Sequence, residues 1–239
     1  MTSAAAVIPA RFQSTRFPGK PLALIMGKPM IQWVYEGVRK SRVLDRIIIA
    51  TDDRRIYDAV VGFGAEARMT SAAHVSGTER TAEVAETLDD DIIVNVQGDE
   101  PLIMAEAIDS LVSGIAGSGM MMASLMAKVT DLKLHEDPNI VKVVTDRSGK
   151  ALYFSRSPLP YRAADFFYQH IGIYSYRRNY LLALAKMSPT RLELQEKLEQ
   201  LRVLEHGGNI RMIEIDRPTL SVDTPQDIIK VETFLRNKA

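Results

Sequence analysis

The sequence predicts a doubly wound, mostly parallel α/β sheet carrying a smaller mixed or antiparallel extension. Up to residue 119, short β-branched runs alternate with helical patterns in four successive repeats, as parallel strands with crossover helices do. Those runs end in polar or glycine-containing stretches, the places where strand ends of an open sheet meet a ligand crevice. From residue 120 the apolar runs follow one another with few long helical patterns between them, which suits antiparallel or mixed pairing. On this reading the chain is a single domain. Its core takes about residues 1–119 and 205–239, and its extension about 120–204.

The first strand, Ala6-Val7-Ile8, reaches Pro9 and opens into a loop carrying Arg11, Arg16 and Lys20, with Ser14 and Thr15 between them. Such a loop suits a polyanion. Several cations are needed for a triphosphate, because one charge pair at ~4 Å is worth only about 4 kcal/mol at an effective dielectric near ~20. The alternative is a solvated basic loop on which anions dock incidentally. Gly19-Lys20 is followed by Pro21, so this is not a Walker A loop, and no G-x-G-x-x-G follows the strand.

The next helix is read from Pro29, with Met30, Trp33, Val34 and Val38 on one face. Residues 46–52 form a buried strand ending in Thr51 and Asp52, which either face the crevice or cap the following helix. After a third strand, Thr78 is read as a helix N-cap following Gly77. Arg80 then lies in the first turn, where a cation opposes the helix dipole and so implies a bound anion. The fourth strand, Asp91 to Val96, ends in Gln97, Gly98 and Asp99, with the next helix expected from Pro101. A carboxylate at that strand end, beside a phosphate loop, is where a Mg²⁺ ligand belongs.

In the extension, strands are expected at 120–127, 141–144, 151–154 and 171–174, the methionines of 120–122 serving as adaptable packing. Arg156 follows the third of these, and His170 heads the fourth. Arg156 can fork onto a carboxylate and His170 can bond hydroxyls, although a lone strand histidine is more often structural. Residues 192–204 read as one amphipathic helix burying Leu194, Leu198, Leu201 and Leu204, with Glu199 and Gln200 solvated on spacing alone. A last strand at 210–215 precedes a well-marked helix start: Thr224 as N-cap, Pro225 at the first position and Asp227 closing the box. Asp223, just outside it, offers a second carboxylate for a metal held by Asp99.

The composition narrows the function further. Thirty basic residues balance thirty acidic ones over 239 positions, which argues against a general nucleic-acid surface. With no cysteine, disulfides and thiolate metal sites are excluded, and a reducing compartment is suited. The start lacks the positive region of a signal peptide, and no apolar run approaches the ~20 residues that cross a bilayer. The four histidines form no H-x-x-x-H zinc pair. A cytoplasmic protein with no membrane insertion is expected.

Several blocks then carry a family resemblance in order over nearly the whole chain. They are Ile8-Pro9-Ala10-Arg11, Ser14-Thr15-Arg16-Phe17-Pro18-Gly19-Lys20-Pro21-Leu22, Ser76-Gly77-Thr78-Glu79-Arg80, and Asn95-Val96-Gln97-Gly98-Asp99-Glu100-Pro101. Tyr153-Phe154-Ser155-Arg156, His170-Ile171-Gly172-Ile173-Tyr174, Leu198-Glu199-Gln200-Leu201-Arg202 and Val222-Asp223-Thr224-Pro225 continue the match. Together they resemble the 3-deoxy-manno-octulosonate cytidylyltransferases. The resemblance implies a Rossmann-like nucleotidyltransferase sheet and a homodimer formed with help from the extension. It also implies a reaction of CTP with an eight-carbon acidic sugar, giving CMP-sugar and pyrophosphate for lipopolysaccharide synthesis. The stretch 162–169 is shorter than in many relatives.

Carried over residue by residue, the resemblance implies that Ala10, Arg11, Ser14, Lys20, Thr51, Gly77, Arg80 and Gln97 surround the nucleotide. Lys20 and Arg16 become the catalytic cations, with Asp99 and Asp223 holding Mg²⁺. Arg156, His170, Tyr174, Glu199 and Gln200 are implied to receive the sugar acid, the arginine serving its carboxylate. Two alternatives stay open: the same reaction on the 8-amino analogue or another 2-keto-3-deoxy acid, and a non-catalytic nucleotide-sugar-binding module on the same fold.

Overall fold

A computed structural model of the chain describes residues 2–13 and 17–237. Its contacts divide it into two units, Met1–Asp109 with Thr219–Ala239, and Ser110–Pro218.

In the first unit, β1 (Ala4–Ala10) is followed by the short pair β2 (Leu24–Ile25) and β3 (Lys28–Pro29), then by α1 (Met30–Val38) and β4 (Arg46–Thr51). α2 (Arg54–Gly62), β5 (Glu66–Met69), α3 (Gly77–Glu86) and β6 (Ile92–Asn95) complete the run. The strands form a parallel sheet in the order β6-β1-β4-β5. β1 is central and its residues Ala4 to Ile8 are fully buried, so both of its faces are apolar, as a sheet covered on two sides requires. Val7 lies opposite both Ile48 and Asn95, and Ala10 opposite Thr51. That register brings the loops after Ala10, Thr51 and Asn95 out at one sheet edge.

The helices follow the apolar periodicity, with their starts shifted. α1 buries Met30, Ile31, Val34 and Val38, while Trp33 is half-buried and donates its indole N–H to Ile25 O at 2.8 Å. Asp53 caps α2 by accepting from Arg55 N, so the capping expected of Thr51 or Asp52 falls one residue later. Ser76 caps α3 by accepting from Glu79 N at 3.2 Å, and Thr78 is buried inside the first turn. The helix expected from Pro101 begins later, as α4 (Ala105–Ala116). Residues 100–104 instead form turns closed by Glu100 N to Gln97 O and Ile103 N to Glu100 O.

The second unit is mixed, as expected. It holds β7 (Met122–Val129), β8 (Lys142–Thr145), β9 (Ala151–Ser155) and β10 (Phe167–Arg177), then α5 (Arg178–Leu184), α6 (Arg191–Glu196), α7 (Leu201–Glu205) and β11 (Ile210–Ile215). β10 runs antiparallel to β7 and β8, β9 antiparallel to β8, and β11 parallel to β7. β11 had been expected with the core and pairs here instead. The β7–β10 register shifts between Ile171 and Tyr174, and the buried Ser124 side chain lies 3.2 Å and 3.0 Å from the carbonyls of Ile171 and Ile173. Such a bulge re-aims the side chains beside it.

The single helix read over 192–204 is two helices, α6 and α7, broken at Lys197, whose φ is +55°. Leu194 is 64% exposed, against its expected burial. The buried position on α6 belongs to Glu193. It accepts a two-bond fork from Arg202 of α7, Nε to Oε2 at 2.8 Å and Nη2 to Oε1 at 2.6 Å. An ion pair across the break therefore decides which face of α6 turns inward.

The chain ends in α8 (Pro225–Arg236) of the first unit, with the predicted capping box of Thr224 and Asp227 and proline at the start. Val231 of α8 joins Ile25, Met30 and Val222 in an apolar cluster flanked by Phe17 and Trp33. This cluster seats the end of the first loop and the segment that carries Asp223.

Candidate active site

The first-unit site is built where three chain segments meet. Gly19 adopts φ +71°, a left-handed conformation that favours glycine, and its N–H donates to Phe12 O at 2.8 Å. This turn delivers Lys20. Its ammonium lies 2.6 Å from Asp99 Oδ2 and 3.6 Å from Asp223 Oδ1, and it donates to Val222 O at 2.9 Å. Val222 N in turn donates to Asp99 O at 2.9 Å, tying the two carboxylate-bearing segments together. Gly98 is needed beside them: a Cβ there would stand 2.9 Å from Pro9 O.

These groups border a cavity of about 240 Å³ in the first unit, lined among others by Ala10, Arg11, Lys20, Gly77, Arg80, Gln97, Asp99 and Asp223. Six of the expected nucleotide and catalytic positions thus share a wall with both of the expected metal positions. Thr51 does not join them. It is fully buried, and its hydroxyl accepts from Asp53 N at 3.2 Å. Ser14 and Arg16 lie outside the described residues.

Arg80 was read as a cation awaiting an anion, and the protein supplies one. Its guanidinium, 3% exposed, donates to Asp52 Oδ2 at 3.0 Å, to Ser71 O at 3.4 Å and to the Thr70 hydroxyl. Asp52 was therefore undervalued as a capping candidate. His74 also borders the cavity, held by Glu83 and, at 3.6 Å, by Glu79. Glu100 was quoted only as part of a block. It is pushed up to about 8 by burial and by the charges of Asp99 and Asp223, while a hydrogen bond with Thr219 works the other way.

The second unit gathers His170, Tyr174 and Gln200. Gln200 is 4% exposed, contrary to the solvated position its spacing suggests. Its Oε1 accepts from the Tyr174 hydroxyl at 3.3 Å, and its Nε2 donates to His170 Nδ1 at 3.5 Å. The imidazole consequently carries its proton on Nε2 and donates to Ser124 Oγ at 2.9 Å. Phe154 packs edge-on against the ring at 4.9 Å between centroids. Burial raises the Tyr174 phenol, helped by the negative charge of Glu199. Glu199 lies 3.9 Å from Arg202. Arg156 donates from Nε to Glu196 O and from Nη1 to Pro138 O, both at 3.0 Å. Ser124 and Glu196 escaped the sequence reading, since an isolated serine on an apolar strand and a glutamate on a charged helix carry no pattern.

Burial depresses the His170 imidazole to about 3. The unfolded chain protonates this group below about 6.5, so between those values the unfolded state binds more protons. Stability from this site is thus fully present above pH 6.5 and is lost as pH falls toward 3. The His170 ring is expected to give the NMR shifts of neutral imidazole at pH 5, and His170→Gln to flatten the acid side of the urea-midpoint profile. A ring that titrates near 6.5 contradicts this.

Comparison with known proteins bears on what this arrangement belongs to. The family model described as Cytidylyltransferase matches residues 5–214. The 3-deoxy-manno-octulosonate cytidylyltransferase of Geobacter metallireducens is 52% identical, covering 95% of each chain. The chain belongs to the 3-deoxy-manno-octulosonate cytidylyltransferase family. A second member, from Syntrophotalea carbinolica, is 49% identical over 98% of this chain and 99% of its own. Among solved structures, that of CMP:2-keto-3-deoxy-manno-octonic acid synthetase complexed with CTP superposes with a TM-score of 0.95 at 40% identity, covering all of both chains. Family membership makes this chain a nucleotidyltransferase, and its mixed α/β architecture matches that structure throughout.

Proposed function

We propose that the protein transfers CMP from CTP to 3-deoxy-manno-octulosonate, releasing pyrophosphate and supplying an activated sugar for lipopolysaccharide synthesis. The observation that carries this reading is the convergence of Lys20, Asp99 and Asp223 on one cavity wall. Names of relatives about half identical over nearly the full length support it.

In-line attack of the anomeric hydroxyl on the α-phosphorus forms a P–O bond as the bond to pyrophosphate breaks. The protein's task is therefore positioning and charge stabilisation. Arg11 and Lys20 line the cavity and would hold phosphate oxygens, joined by Ser14 and Arg16 of the same loop. Lys20 is the leading catalytic cation, because its ammonium is already fixed by three protein oxygens and needs little rearrangement to meet developing charge. Ala10, Gly77 and Gln97 would bound the nucleoside. Arg80, saturated by Asp52 and its neighbours, would shape the wall, and Thr51 would support it from beneath.

Asp99 and Asp223 fit Mg²⁺. Among the described residues no cluster of three or more acidic or histidine groups is placed to hold a metal. Two carboxylates already share one cation here, and Mg²⁺ is commonly held by one or two carboxylates together with substrate phosphates. Bound there, the ion would supply polarisation of the α-phosphate and acidification of the attacking hydroxyl.

In the second unit, Arg156 would meet the sugar carboxylate and His170, Tyr174, Glu199 and Gln200 its hydroxyls. A neutral imidazole suits hydrogen bonding to a sugar and not charge pairing. We place the enzyme in the cytoplasm, on its cysteine-free composition and its nucleotide substrate; no helix among the described residues is long and apolar enough to cross a membrane. A homodimer through the second unit accords with its exposed Leu152 and Leu194.

Pyrophosphate release with CTP, the sugar acid and Mg²⁺ tests the reading. EDTA is expected to stop turnover and excess Mg²⁺ to restore it. Asp99→Asn is expected to lower kcat by roughly 100-fold or more while leaving the unfolding midpoint near wild type. Turnover that survives both EDTA and this substitution removes Asp99 from the metal role.

A further inference from the structure

One network in the second unit, around Arg156, is unusually complete. Lys142 is fully buried on β8, yet among the described residues no carboxylate lies within ion-pair distance of it. Its three ammonium donors meet three backbone carbonyls, those of Asp137 and Ile140 at 2.8 Å and of Arg156 at 2.7 Å. Glu196, at the end of α6, takes the other side of the same segment. Its carboxylate accepts from Arg156 N at 3.0 Å and from Ser155 Oγ at 2.7 Å. Its backbone carbonyl accepts from Arg156 Nε at 3.0 Å. Arg156 Nη1 then reaches back to Pro138 O, within the 137–140 loop that Lys142 clasps.

We infer that Lys142 and Glu196 are positioning residues that preset Arg156 for the carboxylate of an acidic sugar. They do so by fixing the peptide groups on both sides of Arg156 and the surroundings of two of its guanidinium nitrogens. This rests on the reading of Arg156 as the carboxylate holder given above.

The geometry has a chemical consequence. Nε and one N–H of Nη1 are spent on carbonyls, and among the described residues no carboxylate lies within ion-pair distance of the guanidinium. The outer N–H groups therefore remain as a fork that matches a carboxylate. An arginine free to rotate would lose side-chain entropy on each binding event, whereas one locked at its backbone and at Nε has lost it on folding. Burial lowers the Lys142 ammonium, yet the three carbonyls can be satisfied together only by its charged form. A merely structural network would stabilise the fold with no preference between the two substrates.

The test measures KM for CTP and for 3-deoxy-manno-octulosonate separately in Arg156→Ala, Glu196→Ala, Lys142→Met and the Arg156→Ala/Glu196→Ala double variant. Glu196→Ala is expected to raise the sugar KM roughly tenfold or more, as loss of a charge-assisted hydrogen bond would, with the CTP KM unchanged. In the Arg156→Ala background the same change is expected to have no further effect, because the group it positions is gone. Lys142→Met leaves three carbonyls without a donor and can prevent folding, so Glu196→Ala carries the decision. If Arg156→Ala leaves the sugar KM unchanged, the carboxylate-holder reading itself fails. If Arg156→Ala raises the sugar KM while Glu196→Ala does not, or if the two effects add in full, the positioning role is overturned and the reading of Arg156 stands.

Discussion

Lys20→Met is expected to lower kcat by roughly 10²–10³-fold, the usual cost of removing one preorganised donor to developing charge. Methionine keeps most of the stem, so the packing of Pro21 and the Gly19 turn survives. What disappears is the one ammonium that Asp99, Asp223 and Val222 O share. The two carboxylates then lose the ammonium that lies between them. A second effect follows: the variant's residual activity should need more Mg²⁺ for half-maximal rate if Lys20 helps to hold the pair in register. Steady-state kinetics at several Mg²⁺ concentrations, with the unfolding midpoint as a control, check both expectations. Wild-type kcat in the variant contradicts the assignment.

The largest stability effect is expected at Arg202. Arg202→Met leaves the Glu193 carboxylate buried without its fork, and breaking a buried ion pair by removing one partner typically costs about 3–5 kcal/mol. Arg202 also donates from Nη1 to Met187 O at 3.1 Å, so a backbone carbonyl is stranded as well. For a chain of this size each kcal/mol moves the midpoint by about 2–4 °C, which puts the expected fall on the order of 10 °C. Replacing both partners, Glu193→Leu with Arg202→Met, is expected to recover part of the loss, since no unpaired charge is then buried. Thermal unfolding of the two variants side by side measures this. A single variant as stable as wild type contradicts it.

The first half of the chain was readable because its strands are short, apolar and β-branched, and in a buried parallel sheet that pattern has few other uses. The strand-end positions of Lys20, Asp99 and Asp223 followed from the same logic: loops at carboxyl ends collect the ligand groups, and carboxylates there are conspicuous. Cap positions slipped by a residue or two. Ser76 and Thr78, or Asp52 and Asp53, are all competent caps, and only tertiary partners such as Arg80 for Asp52 decide which one is free to serve.

The second unit was less readable, for a physical reason. Its decisive contacts join polar residues distant in sequence: Glu193 with Arg202 across a helix break, Ser124 with His170 across a bulge, Lys142 with three carbonyls. Helical periodicity in residues 192–204 predicted a continuous apolar face, but the cost of burying an unpaired charge outweighed the gain from burying Leu194. Gln200 likewise looked solvated by spacing and became buried because His170 and Tyr174 satisfy its amide. Family resemblance supplied the grouping that periodicity could not.

The most direct test of the account compares pyrophosphate release from CTP and Mg²⁺ with 3-deoxy-manno-octulosonate, with its 8-amino analogue and with no sugar. The account predicts release that depends on 3-deoxy-manno-octulosonate and is negligible without an acceptor. Preferential release with the 8-amino analogue would contradict the proposed substrate. Tight CTP binding with no release under any of the three conditions would contradict the enzyme itself and leave a nucleotide-binding module in its place.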